Sequence, residues 1–372
     1  MPETCSYDYV IIGAGIGGCS IAYELSKHSN SILVIDKFPK EASGASGAAG
    51  AFLSPLLGKP NRFKEIVTQA LKYSTKLYKE NFSDAIYNCG TLRIPKNDTD
   101  GKKFESYIPY MDFEFKKQDK GFFFKDASVV NSSKICNMML NRNGNIDTKF
   151  NYEAASISYK ENKWLIDEQI SAKNLILTTG ASKALVDEFY LKIRGVWGRR
   201  IDILTSTKLQ YNYHKGCSVS KSFSTDTKNL YKVSIGATHH RDINDSLDIE
   251  KDIEELLSKA SDIVTLENVE VTDQYSGARA SSVDYLPVLG KLIDSKKTIE
   301  EFPHLKKGTY VPKQRFTRYE NLYTLNGLGG RGFVLAPYLA KSLVELIIED
   351  KNIDDDILCD RLFIREVKKE NR

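Results

Sequence analysis

The chain has 372 residues, 41% apolar and 27% charged, enough for one large or two medium domains around a sizeable core. No run approaches the ~18 apolar residues of a membrane-spanning helix, and MPETCSYDYV holds no basic region or long apolar stretch that would mark a secretory leader. The six cysteines are scattered with no C-x-x-C pair, which reads as reduced thiols in a cytoplasmic protein and argues against a disulfide framework or a zinc site, while a net charge of +4 neither demands nor excludes nucleic acid.

The first predicted element is a strand, Tyr9 to Ile12. It breaks into Gly13-Ala14-Gly15-Ile16-Gly17-Gly18, a G-x-G-x-x-G turn. A helix is expected from Ile16 to Lys27, with Ile21, Ala22 and Leu25 on one face. A second strand, Ile32 to Ile35, ends at Asp36, followed by Lys37. Strand, glycine turn, helix, strand and acid form the layout that binds a dinucleotide. Gly13 permits the tight turn, Gly15 admits a pyrophosphate to the backbone, and Gly18 allows close helix–strand packing. The helix N-terminus favours the phosphate charge, and Asp36 accepts from the adenosine ribose.

The next segment selects the dinucleotide. Ala42 to Ala51, including Ser43, Gly44, Ala45, Ser46 and Gly50, contains almost no bulky side chain. A second stretch of close-approach backbone suits FAD, whose ribityl chain and ring system continue past the pyrophosphate.

An amphipathic helix follows from about Arg62 to Glu80, with Phe63, Ile66, Val67, Ala70, Leu71, Leu77 and Tyr78 at helical spacing. Short strands at Thr91–Ile94 and Phe122–Phe124 and a helix at Ser132–Leu140 come next. Phe150 to Ile166 reads as a hairpin turning at Lys160-Glu161-Asn162. Asn174 to Thr178 is a buried strand that enters Thr179-Gly180-Ala181-Ser182, a return to the dinucleotide sheet. Residues 196–275 read as strands with one charged helix, Asp248 to Ser258. Near the end, a strand at Leu322–Leu325 meets Asn326-Gly327-Leu328-Gly329-Gly330-Arg331-Gly332, and a helix follows over Leu335–Ile348 with Pro337 in its first turn. The expected fold is α/β. A discontinuous Rossmann-like FAD-binding domain (1–86, 146–195 and 276–372) carries an inserted, mainly antiparallel β substrate domain (87–145 and 196–275).

Five features are candidates for chemistry. Gly327, Gly329, Gly330 and Gly332 let backbone amides approach a ligand, and Arg331 adds positive charge where a reduced flavin becomes anionic. Arg279 stands among small residues in Gly277–Gly290, as a guanidinium projecting into a cavity would; it holds a carboxylate or, alternatively, is paired with Asp284. His239 and His240 point to opposite faces of a strand, so at most one enters a site, and adjacent histidines there do not chelate a metal. Trp197 lines the pocket or belongs to the core. Between Leu305 and Tyr319, Lys306, Lys307, Lys313, Arg315 and Arg318 alternate with Tyr310, Phe316 and Tyr319, a pattern that fits an RNA loop or a basic loop tucked onto the core.

The chain resembles the FAD-dependent amine oxidoreductases related to D-amino acid oxidase, glycine oxidase and sarcosine oxidase. The resemblance rests on GAGIGG with its acid, on G-A-R…D-Y-L-P-V-L-G, and on the late glycine turn before A-P. Within that family, ASGASGAAGAFLSPLL (42–57), IGATHHRD (235–242) and LGGRGFVLAP (328–337) are similar to the C-terminal oxidase domain of bifunctional tRNA wobble-uridine modification enzymes. The resemblance implies non-covalent FAD, with Ala154 and Gly180 among its contacts beside the residues above. It implies Arg279 as carboxylate anchor, Arg331 as a second catalytic residue, and His239 and Trp197 near the substrate. It also implies oxidative removal of the carboxymethyl group from 5-carboxymethylaminomethyl-uridine at tRNA position 34, giving the aminomethyl base and glyoxylate. The alternative is an oxidase or dehydrogenase of glycine, sarcosine or a D-amino acid. Because the fingerprint begins at residue 8, the expectation is an oxidase standing alone, with any methylation of the product left to a separate protein.

Overall fold

The computed structural model describes residues 5–118, 120–241 and 248–369; Asp242 of the 235–242 motif lies outside them. Five parallel strands form the centre of an eight-stranded sheet, in the spatial order Ile146–Lys149, Ile32–Ile35, Cys5–Ile12, Ile170–Leu177, Arg318–Asn326. This is the doubly wound dinucleotide-binding order. It reverses direction between Cys5–Ile12 and Ile170–Leu177, opening a crevice at their carboxyl ends. The antiparallel hairpin Ile157–Lys160 and Lys163–Ile166 extends the sheet through the first half of Ile170–Leu177. Its turn residues Glu161 and Asn162 take left-handed φ values of 51° and 63°. The strands read as continuous apolar runs because both faces are covered. The helices Ile16–Leu25, Arg62–Asn81 and Gly332–Glu349 cover one face, and Asp360–Val367 packs on the other.

A second, nine-stranded sheet is almost wholly antiparallel. Its order begins Glu270–Ser282, Ile193–Thr205, Tyr231–Gly236, and its far edge carries Thr91–Arg93, Gly121–Phe124 and Lys116–Gln118. The helix Ile249–Ser261 closes its core through Leu256 and Ala260. Two segments depart from the sequence division at 146 and 276. The helix Ser132–Asn141 packs on the Ile16–Leu25 helix, and the strand Glu270–Ser282 belongs to the second sheet. Among the described residues no helix is long and apolar enough to cross a membrane.

The last long helix begins at Gly332, so Pro337 lies inside it rather than in its first turn. Proline has no N–H to offer the carbonyl four residues back. That carbonyl, of Phe333, accepts from the fully buried Tyr78 hydroxyl at 2.9 Å, and the Val334 carbonyl accepts from Ser74 Oγ at 2.7 Å. The Arg62–Asn81 helix thereby satisfies the backbone that the proline leaves open.

The basic, aromatic segment 305–319 is largely tied down within the fold. Arg318 pairs with the buried Asp360, Lys313 meets Asp355 at 2.9 Å, and Arg315 lies over the Phe302 ring at 4.7 Å. Phe316 is buried, and Tyr319 donates to Glu188 at 2.9 Å. Tyr310 alone among its three aromatics stands out, 82% exposed. Arg318→Ala leaves the Asp360 carboxylate buried without its partner. It is expected to cost about 3–5 kcal/mol of stability, read as a fall in denaturation midpoint. A variant of unchanged midpoint would return this arginine to the surface.

Candidate active site

The dinucleotide crevice is built by contacts that leave no room for side chains. Gly13 has φ +113°, and a Cβ there would run into the Thr178 carbonyl; a Cβ on Gly18 would strike the Gly13 carbonyl. Thr178 Oγ1 donates to the Ile12 and Gly13 carbonyls at 3.0 and 2.8 Å. Asp36 accepts the Ala14 amide at 2.6 Å and the Phe38 amide at 2.9 Å, so the acid is fixed beside the glycine turn. Lys37 is drawn aside to Glu153 at 3.5 Å. The loop holding Ala154 runs alongside, with the Tyr152 amide on the Asp36 carbonyl at 3.0 Å.

The small-residue segment folds back onto this turn. The Ala42 amide donates to the Ala14 carbonyl at 2.9 Å, and Ser46 Oγ accepts from the Ile16 amide at 2.9 Å. Ser43 is engaged locally, donating to the Lys40 carbonyl at 2.9 Å. Gly15 is the N-cap of the helix and brings no side-chain cap. The Gly17 and Gly18 amides of its first turn, without intrahelical partners, and the Ser46 hydroxyl proton are available to a pyrophosphate. Gly180, at φ +60°, is tied to the final turn through Asn326 Nδ2 at 3.0 Å. The residues present therefore fit FAD: a cradle free of Cβ atoms, an acid at the ribose position and a helix N-terminus between them.

The second sheet closes over this cradle with one face of the strand Glu270–Ser282. A Cβ on Gly277 would press on Ala45, 2.7 Å from its Cα. Arg200, paired with Tyr275 and stacked on its ring at 4.2 Å, donates to the Ala49 carbonyl at 2.6 Å. Arg279 lies on the same face. Its Nη1 donates to the Thr238 carbonyl at 3.2 Å, a Cβ on Gly198 would overlap its guanidinium, and one on Gly330 would sit 3.8 Å from its Cδ. Asp284 is not its partner, since that carboxylate is forked by Arg361 at 2.9 and 3.0 Å. Among the described residues no acid forms an ion pair with Arg279, and burial lowers its pKa.

Strand register separates the remaining candidates. Trp197 pairs with Ala278, which places it on the face away from Arg279. His240 lies with it, bonded to Asp252 at 2.7 Å, and Asp252 also takes Arg199 at 3.0 Å. His239 stays beside Arg279 and is solvent-exposed on one side. Partial desolvation and then the arginine's charge lower its pKa.

Three participants, Ser54, Arg93 and His214, escaped the sequence reading, which singles out Arg331. Arg331, with Nη1 on the Ser54 carbonyl at 3.1 Å, meets Arg93 there. Arg93 reaches Ser54 Oγ at 3.4 Å and the Pro55 carbonyl at 3.2 Å. Burial pushes both arginines down to about 10, and the charge of Arg331 adds to the effect on Arg93. His214, the strand neighbour of Arg93, has Nδ1 2.8 Å from Ser218 Oγ. The only hint in the sequence is that Arg93 interrupts an apolar strand.

A two-domain flavin cradle facing an unpaired arginine defines a flavin-dependent oxidoreductase. The family model for FAD dependent oxidoreductase matches residues 8–346, and the chain belongs to that family. It is an FAD-dependent oxidoreductase. Among curated proteins it is similar to the tRNA 5-methylaminomethyl-2-thiouridine biosynthesis bifunctional protein MnmC of Legionella pneumophila (strain Lens). Identity is 25% over 372 residues, covering 92% of this chain and 54% of that protein. It is 22% identical to the protein of the same name from Campylobacter fetus subsp. fetus (strain 82-40), covering 97% of this chain and 60% of that one. The chain spans about half the length of the curated relatives it matches. Among solved structures, glycine oxidase from Geobacillus kaustophilus superposes with a TM-score of 0.73 at 18% identity, over 94% of this chain and 96% of that one, a likeness of fold.

Two outcomes follow from this geometry. Gly18→Ala forces the Gly13 turn open, so the purified variant is expected to carry a small fraction of the wild-type flavin per chain while keeping its far-ultraviolet circular dichroism. A fully yellow variant would refute the close approach. Burial, reinforced by Arg93, Arg331 and Lys96, holds His214 down to about 3 against an ordinary 6.5. Between those values the unfolded chain binds a proton that the folded one refuses. The neutral imidazole's share of stability is therefore complete above pH 6.5 and lost as the pH falls through the window. Replacing it by His214→Gln should flatten the acid limb by about 1.4 kcal/mol per pH unit, measured as unfolding free energy from pH 6 to 4.

Proposed function

We propose that this enzyme removes the carboxymethyl group from 5-carboxymethylaminomethyl-(2-thio)uridine at the wobble position of tRNA, releasing glyoxylate and the 5-aminomethyl base. The single observation that carries the reading is Arg279: a desolvated guanidinium without an acid, set between Gly198 and Gly330 at the mouth of the flavin cradle. Such a fork is made for a carboxylate. The printed names of the curated relatives supply the tRNA side.

The residues of the glycine turn, Asp36 and the 42–50 segment would hold FAD. When bound, it supplies the two-electron acceptor that converts R–NH–CH₂–COO⁻ to the imine R–N=CH–COO⁻, which water splits into R–NH₂ and glyoxylate. Arg279 binds the carboxylate and fixes the position of the CH₂, an orientation effect that can supply much of the rate. Gly198 leaves space for the guanidinium where any side chain would displace it. His239, its pKa lowered by partial burial and then by the charge of Arg279, lies beside that guanidinium. Arg331, near the final glycine turn, contributes positive potential where negative charge develops on reduction. The 5-methylaminomethyl product named for the relatives requires a later methylation, which this reading leaves to a separate catalytic unit.

The test is incubation of the holoenzyme with tRNA bearing the carboxymethylaminomethyl base, followed by nucleoside mass analysis and glyoxylate assay, with free glycine and sarcosine in parallel. Conversion of the tRNA base at rates far above the free amines is expected. Turnover of glycine or sarcosine alone would replace the reading with a small-molecule oxidase. Arg279→Ala is expected to lower kcat/KM at least about 30-fold, since loss of a buried charged contact costs roughly 2–5 kcal/mol, with the flavin spectrum unchanged. Near-normal turnover would make Arg279 structural.

A further inference from the structure

We propose that the seam between the two sheets holds a second oxyanion site, in which Arg93 and Arg331 clamp a phosphate or second carboxylate of the substrate beside Ser54. The two arginines come from different parts of the fold. Arg93 ends a strand of the nine-stranded sheet, and Arg331 belongs to the glycine turn of the other. They converge on one loop residue, Arg331 through the Ser54 carbonyl at 3.1 Å and Arg93 through its hydroxyl at 3.4 Å. Among the described residues neither forms an ion pair with an acid. The charge of Asp100 acts on Arg93 without pairing with it, and Asp100 Oδ2 accepts the Lys96 amide at 2.9 Å. The Nε of Arg93 is buried and has no hydrogen-bond partner.

Fastening one loop needs one guanidinium. Two of like charge at a single residue repel each other, and a buried N–H without an acceptor is costly. An anion seated between them would remove both penalties, and an arginine fork matches carboxylate and phosphate alike. The site is separate from Arg279, whose guanidinium is fastened to the Thr238 carbonyl. It rests on the reading above for the identity of the ligand, not for its existence. A tRNA substrate would present a backbone phosphate here, and a small dicarboxylic amine its second carboxylate.

The experiment is calorimetric titration of the holoenzyme with inorganic phosphate and, separately, malonate at low ionic strength, in wild type, Arg93→Gln and Arg279→Gln. Arg93→Gln is expected to weaken at least one anion by about tenfold or more, a 1.4 kcal/mol change in affinity, while Arg279→Gln retains that binding. A loss confined to phosphate assigns the site to a phosphodiester; one confined to malonate assigns it to a second carboxylate. Arg93→Met, of similar length without the buried polar head, is read in the same way where Arg93→Gln does not fold. The proposal is overturned if both anions bind the Arg93 variants as they bind wild type. It is also overturned if Arg279→Gln loses as much as Arg93→Gln, or if Arg93→Gln shifts the flavin reduction potential with anion binding unchanged. No turnover is involved, so a failed glyoxylate assay with a positive titration would discard the activity and keep the site.

Discussion

Everything in this molecule hangs on a backbone approach too close for a Cβ atom. Gly18 packs against the Gly13 carbonyl, and Gly13 against Thr178. Three elements, the first strand, its helix and the strand Ile170–Leu177, therefore meet at one point, and the point falls where the sheet order reverses. The Ala14 amide is committed to Asp36 and the Ala14 carbonyl to Ala42, so the small-residue segment must fold back over the turn. That placement brings Ala45 against Gly277, and the strand carrying Gly277 also carries Arg279. A contact between glycines thus decides where the unpaired Arg279 stands relative to the cofactor cradle.

Charge pairing distinguishes working arginines from structural ones. Arg199, Arg318 and Arg361 each end on a carboxylate, of Asp252, Asp360 and Asp284. These pairs fasten helices and turns to sheets. Arg93, Arg279 and Arg331 end on backbone carbonyls of Pro55, Thr238 and Ser54. A carbonyl dipole only partly compensates a desolvated cation, so these three keep a demand for an anion that the first three have already met. All three lie at the junction of the two sheets, where ligand sites of two-domain proteins tend to form.

What the sequence revealed is local, and what it concealed is long-range. The glycine turn, Asp36 and the strand Ile32–Ile35 lie within one short stretch of chain, and each residue's function follows from its neighbours. The helix over Arg62–Asn81 was equally legible from its apolar spacing. The role of Arg93 was not, because it depends on a turn far along the chain and on parallel pairing with residues 212–215. Pro337 was misplaced because its tolerance inside a helix depends on the Tyr78 hydroxyl, a partner no local pattern encodes. The segment 305–319 has the composition of an RNA-binding loop, yet Arg318 and Lys313 find acids at Asp360 and Asp355, on the chain's final stretch. Composition reports which charges are present; topology decides which are already answered.

The alternation of the paired strands Ile193–Thr205 and Glu270–Ser282 carries the division of labour. One face presents Arg200, Tyr275, Gly277 and Arg279 to the cradle; the other gives Arg199 and Gln274 to the helix Ile249–Ser261 and its Asp252. His239 and His240 fall on either side of that division, which is why adjacent residues of one type have unlike surroundings. A one-residue slip would exchange the two faces and bury Arg279 under the helix. The small residues Gly198 and Gly277, paired across the two strands, let one face close on a cofactor while His239, next to Arg279, remains open to solvent. On the proposed reading, an N-carboxymethyl group reaches Arg279 from this open side.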